Sequence, residues 1–401
     1  MGEKRFVHID GVAYDVEHWA RKHPGGEVML RFLGKDATAA FLAFHQRRSH
    51  KTLKAFRVRT ATPEAPEAES THPVEREFAA LREAVEAAGA FVARKGYFLL
   101  RGGAIIGLVL GAVASLAFAP AFWPLAALAV GLAWQQCGWF AHDLLHHSVF
   151  DRRASGDRYG LLMGGVILGF SADWWKRKHN THHALPNVLG TDPDIDVLPL
   201  LAFDERQRLR APAFVRATFL RLQPLTVLPI LAFARLNWVV QSILWTLFAP
   251  GVRHRRAEML AHLAHQAWSL GILALLPTWG ERLGFFLVAH LSSGLMTGAV
   301  FMVGHNARPM LAEAGEAPGF YALQVMTTQN VRTNALTGWF FGGLDHQIEH
   351  HLFPSLPRHA HAGIAARVRE ICARHGIEYV ERGFFVGLVD VWRVLFRVAR
   401  A

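Results

Sequence analysis

The sequence predicts a mainly α membrane protein, with four transmembrane helices under a histidine-rich cytoplasmic cap and a small α+β domain in front. Three observations predict it. Apolar residues make up 52% of the 401, gathered into stretches near the about 20 residues needed to cross a bilayer. Beside these stretches stand three polar clusters: His142-Asp143-Leu144-Leu145-His146-His147, His179-Asn180-Thr181-His182-His183 and Gln347-Ile348-Glu349-His350-His351. Residues 1–59 read as a separate small unit, because a chain of this length exceeds one ordinary core. The net charge of +11 on so apolar a chain points to a basic surface facing anionic headgroups. Nucleic acid is not the expected partner, since the arginines flank apolar spans and do not interleave with aromatics on a soluble domain. Only Cys137 and Cys372 are present, Cys137 inside an apolar span, which argues against a structural disulfide and for a reducing side. The opening Met1-Gly2-Glu3-Lys4-Arg5-Phe6 shows neither an apolar leader nor a myristoylation pattern.

Phe6 to Val16 reads as two short strands around Asp10-Gly11, a hairpin turn. A short helix then stops at His23-Pro24-Gly25-Gly26. Proline ends it, and the glycines let the backbone bend closely past whatever His23 binds. A second helix, from Asp36 through Phe41 and Phe44, delivers His45. The two histidines lie 22 positions apart, so they come from different elements facing each other. That suits two axial ligands across a haem, with Phe32, Leu33, Phe41 and Phe44 as apolar walls; His50 is the alternative second ligand. Residues 60–74, rich in Pro, Ala and Glu, form a flexible tether. Glu75 to Lys95 carries Phe78, Leu81, Val85 and Val92 on one side and is expected to lie on the membrane.

The membrane unit, 75–401, has expected spans at 102–122, 125–141, 260–277 and 283–304. Leu225 to Phe248 is apolar but broken by Pro229, Arg235, Asn237 and Gln241, and is expected to be interfacial. Arg152, Arg153, Arg253, Arg255 and Arg256 lie near span ends on one side, which puts them, both termini and all three clusters in the cytoplasm. The tail repeats apolar residues at Ile364, Val368 and Ile371. Its last helix, Phe384 to Val398, is basic and amphipathic, suited to the membrane surface.

One histidine pair at helical spacing is commonly a solvated face or a satisfied core pair; three clusters beside apolar spans are not. On a helix Gln347, His350 and His351 share one face. Neutral imidazoles gathered this closely bind transition metals, and three clusters hold more donors than one ion uses, so the simplest count is two metals. Imidazole suits Zn, Cu, Fe and Ni alike. The haem unit favours iron, because a one-electron carrier serves O2 activation and has no use beside redox-inert zinc. A site at the membrane makes a lipid chain the expected substrate. Asp143, Asp192, Asp194 and Asp196 either orient ligand imidazoles or are solvated loop carboxylates. His290, Ser292 and Ser293 either line an acyl tunnel or pack helices; His262 and His265 stay outside the metal count.

With its hairpin, HPGG and Phe44-His45, the N-terminal segment resembles a cytochrome b5 domain, whose haem-ligand positions match His23 and His45. The order HPGG, HDxxHH, HNTHH and QIEHHLFP, covering nearly the whole chain, resembles the front-end fatty acyl desaturases, which fuse cytochrome b5 to a membrane di-iron desaturase. Trp174-Trp175-Lys176, Asp192-Pro193-Asp194-Ile195-Asp196 and Gln329-Asn330-Val331-Arg332 also look like this group. The resemblance implies iron ligands at His142, His146, His147, His179, His182, His183, His305, His350 and His351. Gln347 stands where other desaturases use histidine. In related acyl-CoA desaturases a water-bridging Asn stands where this chain has Phe301, which leaves one ligand unaccounted for. His346, where the family commonly has an aromatic, offers an alternative His-x3-His-His register.

The implied cofactors are two iron ions and haem b, with O2 as co-substrate. The implied reaction inserts a cis double bond between the carboxyl end and an existing double bond of a (poly)unsaturated acyl chain carried on CoA or phospholipid. Electrons come from NAD(P)H through a separate reductase of the cytochrome b5 reductase kind, since no GxGxxG-type nucleotide site is evident. The implied location is the endoplasmic reticulum or the bacterial inner membrane. A hydroxylase or ketolase on the same scaffold is the nearest rival. A metal transporter would need its ligands within the spans, and a pure haem carrier would leave three clusters unused.

Overall fold

The computed structural model describes residues 6–20, 22–23, 25–45, 52–58 and 72–401. Pro24, His50 and most of the expected tether at 60–74 lie outside the described residues.

Strands β1 (Val7–Ile9) and β2 (Val12–Tyr14) pair antiparallel, Val7 opposite Tyr14. Between them Asp10 (φ 51°) and Gly11 (φ 70°) are both left-handed, the backbone a two-residue hairpin needs to follow the strand twist. Helix α1 (Glu17–Ala20) leads to His23, and α2 (Thr38–Phe44) ends at His45. Val7, Ile9, Val16, Ala37 and Leu53 make the small core beneath them, with Leu33 packed against it.

Helix α3 (Pro73–Ala87) starts the larger unit, followed by α4 (Lys95–Phe118) and α5 (Trp123–Leu145). Next come α6 (Arg153–Gly160), α7 (Ala172–Ala184), α8 (Glu205–Arg210) and α9 (Ala213–Ala217). The last three before the cap are α10 (Phe219–Phe248), α11 (Arg255–Gly271) and α12 (Trp279–His305). Among the described residues three helices, not four, are long and apolar enough to cross a membrane: α4, α10 and α12.

The first and fourth expected spans fall on α4 and α12. The second and third fall on α5 and α11, which do not meet that measure. Helix α5 buries Gln135 and Gln136, whose amides donate to the Phe340 carbonyl at 2.9 and 3.2 Å. Helix α11 has 17 residues and buries Glu258, His262 and His265. The expected interfacial stretch is instead part of the 30-residue α10. Its Arg235 turns inward, 1% exposed, with the guanidinium 3.8 Å over the Trp134 ring. A polar residue weighs against a span only where lipid must solvate it, and here protein surrounds it.

The cap contains α13 (Phe320–Thr327), β3 (Asn330–Arg332), α14 (Ala335–Phe341), α15 (Gln347–Leu352) and α16 (His361–Arg374). Strand β4 (Glu381–Gly383) runs parallel to β3, and α17 (Phe384–Arg400) ends the chain. The apolar face of α3, expected on the membrane, is buried in this cap: Val74, Phe78, Leu81 and Val85 cluster with Tyr321, Ile348, Leu352 and Phe353. Periodicity says that one face must be covered, not what covers it. The buried Glu75 carboxylate adds a polar anchor, accepting the N–H groups of Tyr321 and Ala322, each at 3.0 Å, where α13 begins. Helix α16 buries Ile364, Val368 and Ile371, as its periodicity predicts. On α17, Val391 and Leu395 pack with Leu231 and Met302, while Phe385, Val386, Val389 and Trp392 stay exposed on another face.

Candidate metal centre

Local sequence presents each donor. Helix α5 carries His142 and runs into His146 one turn on. The backbone then becomes left-handed at His147 (φ 58°), which aims its ring elsewhere. Ser171 caps α7, its Oγ accepting the Trp174 N–H at 3.1 Å. The Glu258 carboxylate accepts the Ala172 N–H at 3.2 Å and the Asp173 N–H at 3.0 Å, so the first three N–H groups of α7 are met. That helix delivers His179, His182 and His183. Helix α12 ends on His305, and α15 carries Gln347, His350 and His351.

The histidines sort into two groups. One ring nitrogen from each of His142, His146, His179, His183 and His350 lies within 4.8 Å of all the others, and the same holds for His182, His305 and His351. His183 Nε2 is 2.9 Å from His179 Nε2 and 3.0 Å from His350 Nε2. All eight are 7% exposed or less. Burial first, and then the neighbouring imidazoles, hold His179, His183, His350 and His351 far below the usual histidine range. They are therefore neutral and carry the lone pairs a metal ligand needs.

The surroundings fit metal ions. His142 Nε2, His146 Nε2, His305 Nδ1, His351 Nε2 and Gln347 Oε1 are buried without a hydrogen-bond partner among the described residues. Each such atom costs about 1–3 kcal/mol when left unsatisfied, and a bound cation would satisfy several together. Other contacts fix the ring orientations. His182 Nδ1 lies 3.0 Å from Asp192 Oδ2, and Asp192 in turn accepts the N–H groups of Asn187 and Asp194, both at 2.8 Å. Burial opposes protonation of His182, but Asp192 and Asp194 raise its pKa above the ordinary value. His351 Nδ1 donates to Gln324 Oε1 at 3.0 Å. In both rings the proton on Nδ1 leaves the Nε2 lone pair for a metal.

Of the expected donors, His147 lies apart. Its Nε2 is 2.9 Å from Asp157 Oδ1 and 3.3 Å from Lys176 Nζ, and burial lowers its pKa to about 4. Gln347 joins the second group, its amide nitrogen 2.7 Å from His305 Nε2. His346 does not; it sits in the turn before α15, with Nδ1 3.4 Å from Asp345 Oδ2. Phe301 packs against Trp139 and Trp238, away from the donors. Asp143 pairs with Arg358, with its Oδ1 3.8 Å from His142 Nδ1, and Asp196 is exposed. His290 lies beside Trp134 and Phe286, and His265 meets Arg235, both outside the two groups.

Several supporting residues escaped the sequence reading. Glu349 is buried within α15 and accepts from Asn330 Nδ2 and the Tyr379 hydroxyl, each at 2.8 Å. Asn187 donates to the carbonyls of His305 and Pro309, both at 3.1 Å. Glu349 and Asn330 stand inside polar strings that were legible; Gln324, Asn187 and Tyr379 carry no local signal.

A cavity of about 540 Å³ lies between the N-terminal unit and the helices bearing the donors. His23 and His45 line it, their ring centroids 5.8 Å apart. His45 Nδ1 donates to the Phe41 carbonyl at 3.0 Å. Burial, together with Arg153, Lys176 and Arg253, lowers the His23 pKa to about 4 despite its Gly26 contact. Phe32, Phe41 and Phe44 form walls as expected; Leu33 packs in the domain core. The glycines serve a purpose other than the expected one. A Cβ on Gly25 would meet the His23 ring at 2.9 Å, and one on Gly26 (φ 81°) would meet Arg177 of α7 at 2.9 Å. Asn180 of α7 also donates to the Gly25 carbonyl at 3.2 Å, so this turn seats the small unit on the donor helix. Two apolar, neutral-histidine walls facing each other fit a haem with bis-imidazole ligation. His146 lines this cavity and also belongs to the five-histidine group. Phe44, beside His45, meets His183 edge-on at 6.3 Å.

Comparison with known proteins shows which families the two parts resemble. The family model described as fatty acid desaturase matches residues 117–383, and that of the cytochrome b5-like heme/steroid binding domain matches residues 2–62. The chain is 33% identical to an acyl-lipid (9-3)-desaturase of Physcomitrium patens, covering 99% of this chain and 76% of the relative. It is 31% identical to a Delta(5) fatty acid desaturase of Caenorhabditis elegans, covering 99% and 96%. It is 32% identical to a Delta(8)-fatty-acid desaturase of Euglena gracilis, covering 96% and 93%.

Proposed function

The chain belongs to the fatty acid desaturase family, and from that premise we propose that it is a membrane-bound front-end desaturase fed by its own haem unit. It acts on a polyunsaturated acyl chain and sets the new cis double bond between the carboxyl end and an existing one. The observation that carries this reading is the shared wall: His146 belongs to the five-donor group and lines the cavity that holds His23 and His45. That one side chain is common to both sites brings the electron carrier and the donor group together.

His142, His146, His179, His183 and His350 would hold one iron ion, and His182, His305 and His351, with Gln347 beside them, the other. Bound iron supplies the oxidising power by which O2, two electrons and two protons take two hydrogens from adjacent methylenes, leaving a double bond and two waters. The chain's own residues orient the donors through Asp192 and Gln324 and keep water out by burial. Haem b would sit on His23 and His45, reduced by a separate NAD(P)H-dependent reductase. Residues 1–59 would form the haem unit, and the desaturase unit would begin with α3 at Pro73, two residues before the expected boundary. The basic loops favour a cytoplasmic site and termini.

Mass spectrometry of derivatised lipids from cells expressing the chain and fed polyunsaturated acids tests the reading. A new bond on the carboxyl side of an existing one is expected. Hydroxylated product alone, or a new bond toward the methyl end, would refute it.

A further inference from the structure

The cavity beside the donor helices has two unlike walls. From the N-terminal unit come Val28, Met29, Phe32, Phe41 and Phe44 with the two histidines, and among the described residues that unit contributes no Lys or Arg to the lining. The larger unit contributes Arg152, Arg153 and Lys176, against the single carboxylate of Asp151. Arg153 reaches the Phe44 carbonyl at 3.4 Å, one residue before His45. Lys176 is buried, with Nζ 2.5 Å from Asp157 Oδ1 and 3.3 Å from His147 Nε2. The displaced His147, itself neutral, packs against this rim through Lys176.

A haem is an apolar disc with two carboxylates on one edge, so an apolar wall facing a cationic rim matches it part for part. We propose that the desaturase unit, through Arg152, Arg153 and Lys176, binds the two haem carboxylates, so that the haem is held between the two units and not by the N-terminal unit alone. The inference rests on the haem reading of the cavity. Arginine offers a forked pair of donors to a carboxylate, and charge-assisted bonds of this kind are the strong ones. Three cations from the unit that consumes the electron also favour the reduced haem, which carries one more negative charge.

The full-length chain reconstituted with protohaem, or with haem dimethyl ester, separates the possibilities, because the ester has no free carboxylate. Haem transfer to apomyoglobin and the reduction potential are the readouts. Wild-type protein should lose the ester roughly tenfold faster than protohaem, the scale of one charge-assisted bond. The Arg153→Gln/Lys176→Gln double variant should lose protohaem faster and have a lower potential, yet match wild type when both carry the ester. Arg152→Gln, an exposed site, should move in the same direction with little risk to folding. Ester retained as long as protohaem, or variants that quicken ester loss as much as protohaem loss, would overturn the assignment. A low-spin bis-imidazole spectrum that vanishes with His23→Ala or His45→Ala checks the haem reading separately. Its absence from wild type would remove that reading and this proposal with it.

Discussion

Gln347→Ala and His346→Phe should have opposite consequences, although the two residues are neighbours. Gln347 is 4% exposed, its amide nitrogen 2.7 Å from His305 Nε2 and its Oε1 buried without a partner among the described residues. Truncation removes the contact that orients His305 and a buried amide oxygen beside the three-histidine group. Loss of a partner that orients a ligand typically costs 10–100-fold in metal affinity or activity, roughly 1.4–2.8 kcal/mol. His346 pairs with Asp345 at 3.4 Å, with its side chain 29% exposed, and an ion pair of that kind is worth at most about 1 kcal/mol. The assay is iron per chain by elemental analysis, together with product formed at matched protein level. Gln347→Ala should fall toward one iron and lose most product, Gln347→His should restore iron, and His346→Phe should keep both. Iron lost from His346→Phe while Gln347→Ala stays loaded would refute the reasoning and establish the alternative register.

Asp192→Asn should weaken iron selectively at the His182 group by about 10–100-fold, leaving the five-histidine group loaded; equal loss from both would argue for a general folding defect. Glu75→Ala strands the Tyr321 and Ala322 N–H groups, at about 1–3 kcal/mol for each buried donor, and a lowered thermal midpoint should report it. Burial lowers the His361 pKa to about 4, below the ordinary value of about 6.5. The unfolded chain therefore takes up that proton first, and stability should fall as pH drops from about 6.5 toward 4. His361→Gln should show a shallower slope over that window, and an unchanged slope would exclude this histidine as its source.

Much of the molecule was legible from short-range chemistry. The Asp10-Gly11 hairpin and the three donor clusters follow from spacings within a few residues, and the two histidines facing across an apolar pocket from a separation of 22 positions. Helical periodicity also marked Phe78, Leu81 and Val85 as one face, and extended it to Val92, which lies past the end of α3 and is 67% exposed. It carried no information about the cover, which is the cap core and not a bilayer. The span count went astray for the same reason. Arg235 looked costly in α10 until Trp134, from another helix, was seen beneath it, and α5 was counted as a span although it carries Gln135 and Gln136, whose partner carbonyl lies about 200 positions away.

The sequence by itself named the candidate donors, because a metal ligand needs a lone pair and only certain side chains carry one; the structure groups eight of the nine histidines so named and leaves His147 apart. How the donors divide was decided by tertiary structure. His182 and His183 are adjacent, yet successive side chains on a helix point about 100° apart, so His182 turns to His305 and His351 while His183 turns to His179 and His350. His146 and His147 part at a single left-handed backbone angle, one joining the five donors and the other packing against the cationic rim. Gln347 gained its place only when α12 brought His305 against it. Each of these choices depends on which helix lies opposite, a contact between residues far apart in the chain that no local spacing encodes.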